Sequence, residues 1–115
     1  MWQEKQRVIQ EHVPGRQLTL AHIIANPDAS LYASLGVAEA GQSAIGVLTI
    51  TPPETSIILA DIAIKAAGVK LVDLDRVSGS LLLTGTVSEV EAAITAILAY
   101  VAEKLDFEVC KLTKT

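Results

Sequence analysis

The sequence predicts an α+β domain, an antiparallel sheet with helices on one side. Three observations carry that prediction. From Ser43 onward the apolar periodicity runs strand, helix, two strands, helix, an order in which helices cover one face of an antiparallel sheet. Each long helix is preceded by residues that start helices. The two middle strands are separated only by the turn sequence Asp75-Arg76-Val77-Ser78-Gly79-Ser80. With 115 residues the chain suits one domain, which divides into an N-terminal extension, residues 1–15, and the domain proper, residues 16–115.

The extension is charged at its start and strand-like only over residues 7–13, before Pro14-Gly15 makes a turn. By composition a frayed tail and a short strand fit it equally well. In residues 16–25, Leu18, Leu20 and Ile24 alternate with Thr19, Ala21 and Ile23, as in a half-buried strand. Asn26-Pro27 breaks that strand, and Asp28 is placed to cap a short helix ending near Gly36. A loop over residues 37–42 leads to the strand at residues 44–50. Thr51, Pro52, Pro53 and Glu54 have capping-box spacing and open a helix that Gly68 closes. In that helix Ile57, Ile58, Leu59, Ile62 and Ile64 place bulky apolar groups nearly all round, which predicts contacts on more than one side. Ser88 and Glu91 repeat the capping spacing before the second helix. Its apolar stripe is Val90, Ile94, Ile97, Leu98, Val101 and Leu105, with Ala92, Ala96 and Ala99 along a flank. Residues 107–113 supply a last strand.

Half the residues are hydrophobic and the mean hydropathy is +0.44, yet only 3% are aromatic. Aliphatic surface of this kind suits flat, close packing rather than ligand stacking. Asp61 and Lys65 interrupt the longest apolar run, so no segment is expected to span a bilayer. The start lacks the basic-then-apolar pattern of a signal peptide. One cysteine, Cys110, excludes an internal disulfide and fits a reducing cytoplasm. A net charge of −4 and a pI near 5.0 argue against nucleic acid as a partner. In a cytoplasmic chain, surplus apolar surface predicts self-association.

Patterns of catalytic residues are missing. His12 and His22 are the only histidines, and His22 shares a strand face with Leu20 and Ile24, which reads as a satisfied core or interface side chain. Cys110 has no histidine near it and reads as a small buried hydrophobe. Asp73 and Asp75 share a strand face without a third ligand and read as solvated edge charges. There is no glycine-rich phosphate loop and no Ser/His/Asp order. No catalytic, cofactor-binding or metal residue is assigned, and the chain is read as a non-enzyme. Two features stay open. Asp61 and Lys65, one helical turn apart, form either a plain surface ion pair or an edge where subunits meet. Arg76-Val77-Ser78-Gly79 is either a plain hairpin turn or a cation set among small residues for a purpose.

Residues 43–105 resemble the bacterial microcompartment shell domain, a ferredoxin-like α+β domain whose members form flat hexagonal tiles. Ala63-Ile64-Lys65-Ala66-Ala67-Gly68-Val69 matches that family's helix end, and Asp75-Arg76-Val77-Ser78-Gly79 matches its hairpin. In the ordinary shell domain a strand and short helix like residues 17–36 come last. Here they come first, so the chain resembles the circularly permuted subfamily. Val8-Ile9-Gln10-Glu11-His12-Val13-Pro14-Gly15, running into Leu18-Thr19-Leu20-Ala21-His22-Ile23-Ile24-Ala25-Asn26-Pro27, is similar to shell proteins of ethanolamine, propanediol and choline-type compartments. The resemblance implies that Val8, Ile9, Gln10, Glu11, His12 and Val13 from six subunits form a small parallel barrel over a central pore. It places Asp75, Arg76, Val77, Ser78 and Gly79 in the pore region and Lys65 on the tile edge. Asn26, also at the edge, stands where the family often has arginine. The implied partners are further copies in a homo-hexamer, other shell proteins, and the encapsulated enzymes. The implied location is the microcompartment shell in the cytoplasm, with no cofactor and no membrane contact.

The same α+β unit also builds oligomeric ferredoxin-like proteins that bind small metabolites and regulate. A small lyase or isomerase would instead need Arg76, Asp75 or His22 in a cleft between subunits. A metabolite-induced thermal shift would mark the first alternative, and turnover lost on substituting Arg76 the second.

Overall fold

The computed structural model describes residues 15–38 and 42–115. Strand β1 is Gln17–Ala25, helix α1 Ala29–Leu35 and strand β2 Ala44–Thr51. A 3-10 turn at Pro53–Thr55 leads into α2, Ser56–Ala66, and strands β3, Lys70–Asp75, and β4, Ser80–Gly85, follow. Helix α3 is Val87–Glu103, and two short strands, β5 (Glu108–Val109) and β6 (Thr113–Lys114), complete the chain. The sheet order is β3-β4-β2-β1-β5, with β6 also paired to β1. The β1–β2, β2–β4 and β3–β4 pairs are antiparallel, whereas β5 and β6 run parallel to β1.

The core lies between the sheet and helices α2 and α3. Leu59, Ala60 and Ala63 of α2 and Val90, Ala93, Ile94, Ile97 and Val101 of α3 meet Leu18, Ala21, Ile23, Leu48, Ile50, Leu81 and Leu83. Each large aliphatic side chain removed from water there contributes about 1.5–3 kcal/mol. Helix α3 comes close to β2 because Gly46 has no side chain: a Cβ there would lie 2.9 Å from Val90 Cγ1. The expected stripe on α3 forms the core contact, although Leu98 is only half-buried and Leu105 lies beyond the helix end. On α2, Ile57, Ile58 and Ile64 are exposed while Leu59 is fully buried, so its apolar groups do point to more than one side.

Five local expectations need correction. The strict alternation of β1 fails, because the pairing with β2 shifts register between Leu18 and Leu20. The extra residue of a bulge leaves two consecutive side chains, Thr19 and Leu20, on the same exposed face and so puts residues two apart on opposite faces. Leu18 is therefore 2% exposed and Leu20 40%, and the core face continues with Ala21 and Ile23. His22 does share its face with Leu20 and Ile24, opposite Val47 and flanking Thr49 and Ile45 in the register.

The capping signals are also displaced. Thr51 caps nothing: Pro52 is extended, Pro52 and Pro53 lack an N–H, and α2 begins only at Ser56, whose Oγ donates to the Pro53 carbonyl at 2.8 Å. Before α3 the capping box is formed by Thr86 and Glu89, two residues ahead of Ser88 and Glu91. Thr86 Oγ1 accepts from the Glu89 N–H at 3.1 Å, and Glu89 Oε1 accepts from the Thr86 N–H at 2.9 Å. Thr86→Ala should cost about 1 kcal/mol in urea unfolding, and Ser88→Ala less than about 0.5 kcal/mol. Equal losses would refute the assignment.

Gly68 does follow the end of α2, but its backbone is not left-handed. A Cβ there would meet Glu89 Oε2 at 2.8 Å, so any side chain would displace the Glu89 carboxylate. The last expected strand is divided: between β5 and β6 the chain turns Cys110 and Leu112 toward the core instead of continuing the ladder. The short helix α1 forms as expected, with Asp28 accepting from the Ser30 N–H at 2.9 Å and Gly36 left-handed at φ 72°.

Candidate functional site

The connection between β3 and β4 is a turn closed by side-chain and backbone hydrogen bonds. Asp75 Oδ1 accepts from the backbone N–H of Val77 at 2.9 Å and of Ser78 at 3.2 Å. A short carboxylate side chain folding back onto the next amides is what makes aspartate a turn former. The Gly79 N–H then donates to the Asp75 carbonyl at 2.8 Å, and the Ile50 N–H donates to the Gly79 carbonyl at 2.9 Å. The hydroxyls of Ser78 and Ser80 sit 2.7 Å apart. Gly79 is buried with φ 83°, while Val77 at the tip is 82% exposed and Arg76 beside it is exposed. The structure thus brings Asp75, Arg76, Val77, Ser78 and Gly79 together as one built feature, a protruding tip on a buried glycine base.

The bonds from the Val77 and Ser78 amides hold the Asp75 carboxyl below its ordinary value of 3.8. A depressed native value contributes stability that is present above the unfolded value and is lost as pH falls through the native one. In Asp75→Asn the loss of stability relative to the parent should therefore be full above about pH 5 and shrink below about pH 4. Denaturant midpoints across that range check it, and a difference constant with pH would refute it.

Lys65 lies on α2 with Nζ 2.8 Å from Asp61 Oδ2, both side chains mostly exposed. The hydrogen bond to Asp61, and then its charge, raise the Lys65 pKa. Ile58, Asp61, Ile62, Lys65, Ala66 and Tyr100 line an open cleft of about 360 Å³ between α2 and α3. Sequence spacing exposed the ion pair; it gave no sign that Tyr100 of α3 completes the cleft, because that contact joins two helices.

Asn26 ends β1, with φ 50° and its N–H donating to the Ser43 carbonyl at 2.7 Å. Asparagine tolerates the left-handed region better than most residues, so its presence has a local backbone reason. It borders a cavity of about 410 Å³ with Pro27, Ala29, Tyr32, Gln42 and Ser43. The described cavities do not gather Lys65, Asn26 and the turn at residues 75–80 into one site. Val8, Ile9, Gln10, Glu11, His12 and Val13 lie outside the described residues.

His22 is engaged through both ring nitrogens. Nδ1 is 2.6 Å from Thr113 Oγ1, and Nε2 is 2.9 Å from Thr115 Oγ1. Thr113 Oγ1 also lies 3.4 Å from the Ala21 carbonyl as a donor. A neutral imidazole offers one donor and one acceptor, and two hydroxyls satisfy both. The ring therefore ties β1 to the chain's C-terminal residues. Cys110 is half-buried, and desolvation raises its thiol pKa, so the thiolate nucleophile is disfavoured. Asp73 is exposed on the edge strand β3. Among the described residues no helix is long and apolar enough to cross a membrane.

With this geometry in hand, the likeness to known proteins is close. The BMC domain family matches residues 44–112, leaving β1 and α1 ahead of the match, as a permuted order requires. The bacterial microcompartment shell protein PduU of Salmonella typhimurium is 50% identical over 109 residues, covering 95% of this chain and 93% of that protein. Among solved structures, the first form of the CutR flat hexamer is 47% identical, with a TM-score of 0.84 over 95% of this chain and 99% of that one. A CutR screw form with a 41.9 Å pitch is 45% identical, with a TM-score of 0.83 over 89% of this chain and all of the other. The chain belongs to the BMC domain family of bacterial microcompartment shell proteins, in its circularly permuted form.

Proposed function

We propose that this chain is a structural tile of a microcompartment shell: six copies close into a flat ring, and rings pack edge to edge with other shell proteins as a facet around the encapsulated enzymes. The observation that carries this reading is the match to the CutR flat hexamer along almost the whole of both chains. Chemistry supports it. The single chain leaves Ile57, Ile58, Ile64, Leu71 and Tyr100 exposed, and Ile58 and Tyr100 line one cleft, surface of the kind that marks contact with a partner. Around residues 75–80 the Asp75 carboxylate is taken up by the amides of Val77 and Ser78 and the Ser78 and Ser80 hydroxyls face each other, an arrangement that offers no activated nucleophile–base pair. In this reading Asp75, Arg76, Val77, Ser78 and Gly79 line the ring centre, Val8 to Val13 from six subunits form a barrel above it, and Lys65 and Asn26 lie at the tile edge. The shell stands in the cytoplasm.

Light scattering after size exclusion tests the ring, and electron microscopy tests the facet. The expected mass is six times the 12.2 kDa of the chain, with flat sheets at high concentration. Lys65→Asp should keep the ring and abolish the sheets; unchanged sheets would remove Lys65 from the edge. An open-ended series of masses would replace the closed ring by a screw like that of CutR. A monomer would overturn the proposal.

A further inference from the structure

We infer that Asp61 and Lys65 pair between rings: where two tiles meet, Asp61 of one copy faces Lys65 of a second copy, and the reverse contact forms beside it. This pairing rests on the tile reading above and supplies the contacts of its edge. Within one chain Lys65 Nζ lies 2.8 Å from Asp61 Oδ2, but the two side chains are 74% and 61% exposed. A pair so open to water contributes little to the fold of its own chain. Its surroundings set it apart. Ile57, Ile58 and Ile64 of the same helix are 50%, 43% and 52% exposed, and Ile58 and Tyr100 line the cleft that holds the pair. A helix face that meets only water is polar, whereas this one sets two charges among bulky apolar groups. Closing such a face removes water from around the charges, and each attracts its partner more strongly as the local dielectric falls. Neither charge loses its partner in the closure, so no unpaired ion is buried.

Symmetry decides what can close this face. Flat six-fold rings that all face one way and pack edge to edge are related across each shared edge by a two-fold axis. Across such an axis the same patch meets itself, so residue i of one copy meets j of the other and j meets i. A lone lysine there would face its own image. An acid and a base one helical turn apart, about 6 Å along the helix, are instead self-complementary. Two copies of α2 related by an axis normal to them run antiparallel, which sets Asp61 against Lys65 twice over. The four charges then alternate in sign. The occupant of this face is therefore a second copy of the chain, because the face carries both members of the pair in the order that its own image requires.

Two full-length variants test the pairing. Asp61→Lys makes the face doubly cationic, and Lys65→Asp makes it doubly acidic. Each alone should keep the mass of a six-copy ring in light scattering and form no sheets in electron microscopy, because like charges meet at every edge. Mixing the two populations of rings should give sheets again, since an acidic face then meets a cationic one. Neither variant holds an Asp61–Lys65 pair within its own chain, so recovery in the mixture comes only from contact between copies. A pair that merely steadied α2 would not recover on mixing. Sheets from either variant alone, or a mixture of intact rings that gives none, would overturn the pairing and leave the tile reading standing. Variants that lose the six-copy mass while the parent keeps it would place the pair inside the ring and overturn it as well. A parent that forms no ring would overturn the tile reading and the pairing together.

Discussion

Gly79→Ala should lower the stability of the folded chain by more than about 3 kcal/mol, enough to prevent folding if the parent is marginal. Two effects combine at this position. The backbone at φ 83° disfavours any side chain. A Cβ would also lie 2.1 Å from the Ile50 carbonyl oxygen and 3.1 Å from Pro53 Cα. Both neighbours are backbone, so neither can swing aside. The Ile50 oxygen belongs to the central strand β2, and the Ile50 N–H donates to Gly79 itself, so relief of the clash breaks the junction between the turn and the sheet. Gly36→Ala separates the two effects. That glycine has φ 72° but no atom within 4 Å of its would-be Cβ, and the change should cost only about 1 kcal/mol. Urea unfolding of both variants checks the pair. Equal losses would mean that conformation alone decides, and that the close approach at Gly79 is unimportant.

Leu48→Ala should cost about 2–5 kcal/mol. Leu48 is fully buried, at the middle of β2, with β1 and β4 paired on either side and the two long helices over it. Its neighbours are held by the sheet ladder and by α3, so the void cannot collapse. Ile64→Ala gives the contrast. Ile64 is 52% exposed on α2, and its truncation should leave the unfolding midpoint of a dilute chain nearly unchanged. If Leu48→Ala cost less than about 1 kcal/mol, the packing described between sheet and helices would be wrong.

Much of this fold was legible because its signals are local. Asp28 and Gly36 bracket α1 through bonds a few residues long, and Asp61 and Lys65 meet because one helical turn separates them. The order of the long elements follows from apolar spacing, and Asp75 to Gly79 announce a turn by their types. What stayed hidden depends on distant parts of the chain. The bulge at Leu18 to Leu20 is settled by pairing with β2, not by β1. Thr86 with Glu89 and Ser88 with Glu91 both satisfy the capping pattern, and only the end of β4 at Gly85 chooses between them. Nothing near Gly79 in sequence announces that the Ile50 carbonyl lies against it. At the site, residue types gave the turn its shape, whereas the pore, barrel and edge roles came from likeness to a family, since a single chain has no ring centre of its own.

The Glu89 carboxylate has one more consequence. One oxygen lies 3.0 Å from where a side chain on Gly85 would begin, and the other 2.8 Å from where one on Gly68 would begin. One acidic group therefore fills the corner where α2 hands over to β3 and also the corner where β4 hands over to α3. Movement at either corner disturbs the same carboxylate, which couples the end of α2 to the start of α3. Amide hydrogens in the last turn of α2 and the first turn of α3 should then exchange with solvent at one shared opening free energy, as a common cooperative unit does.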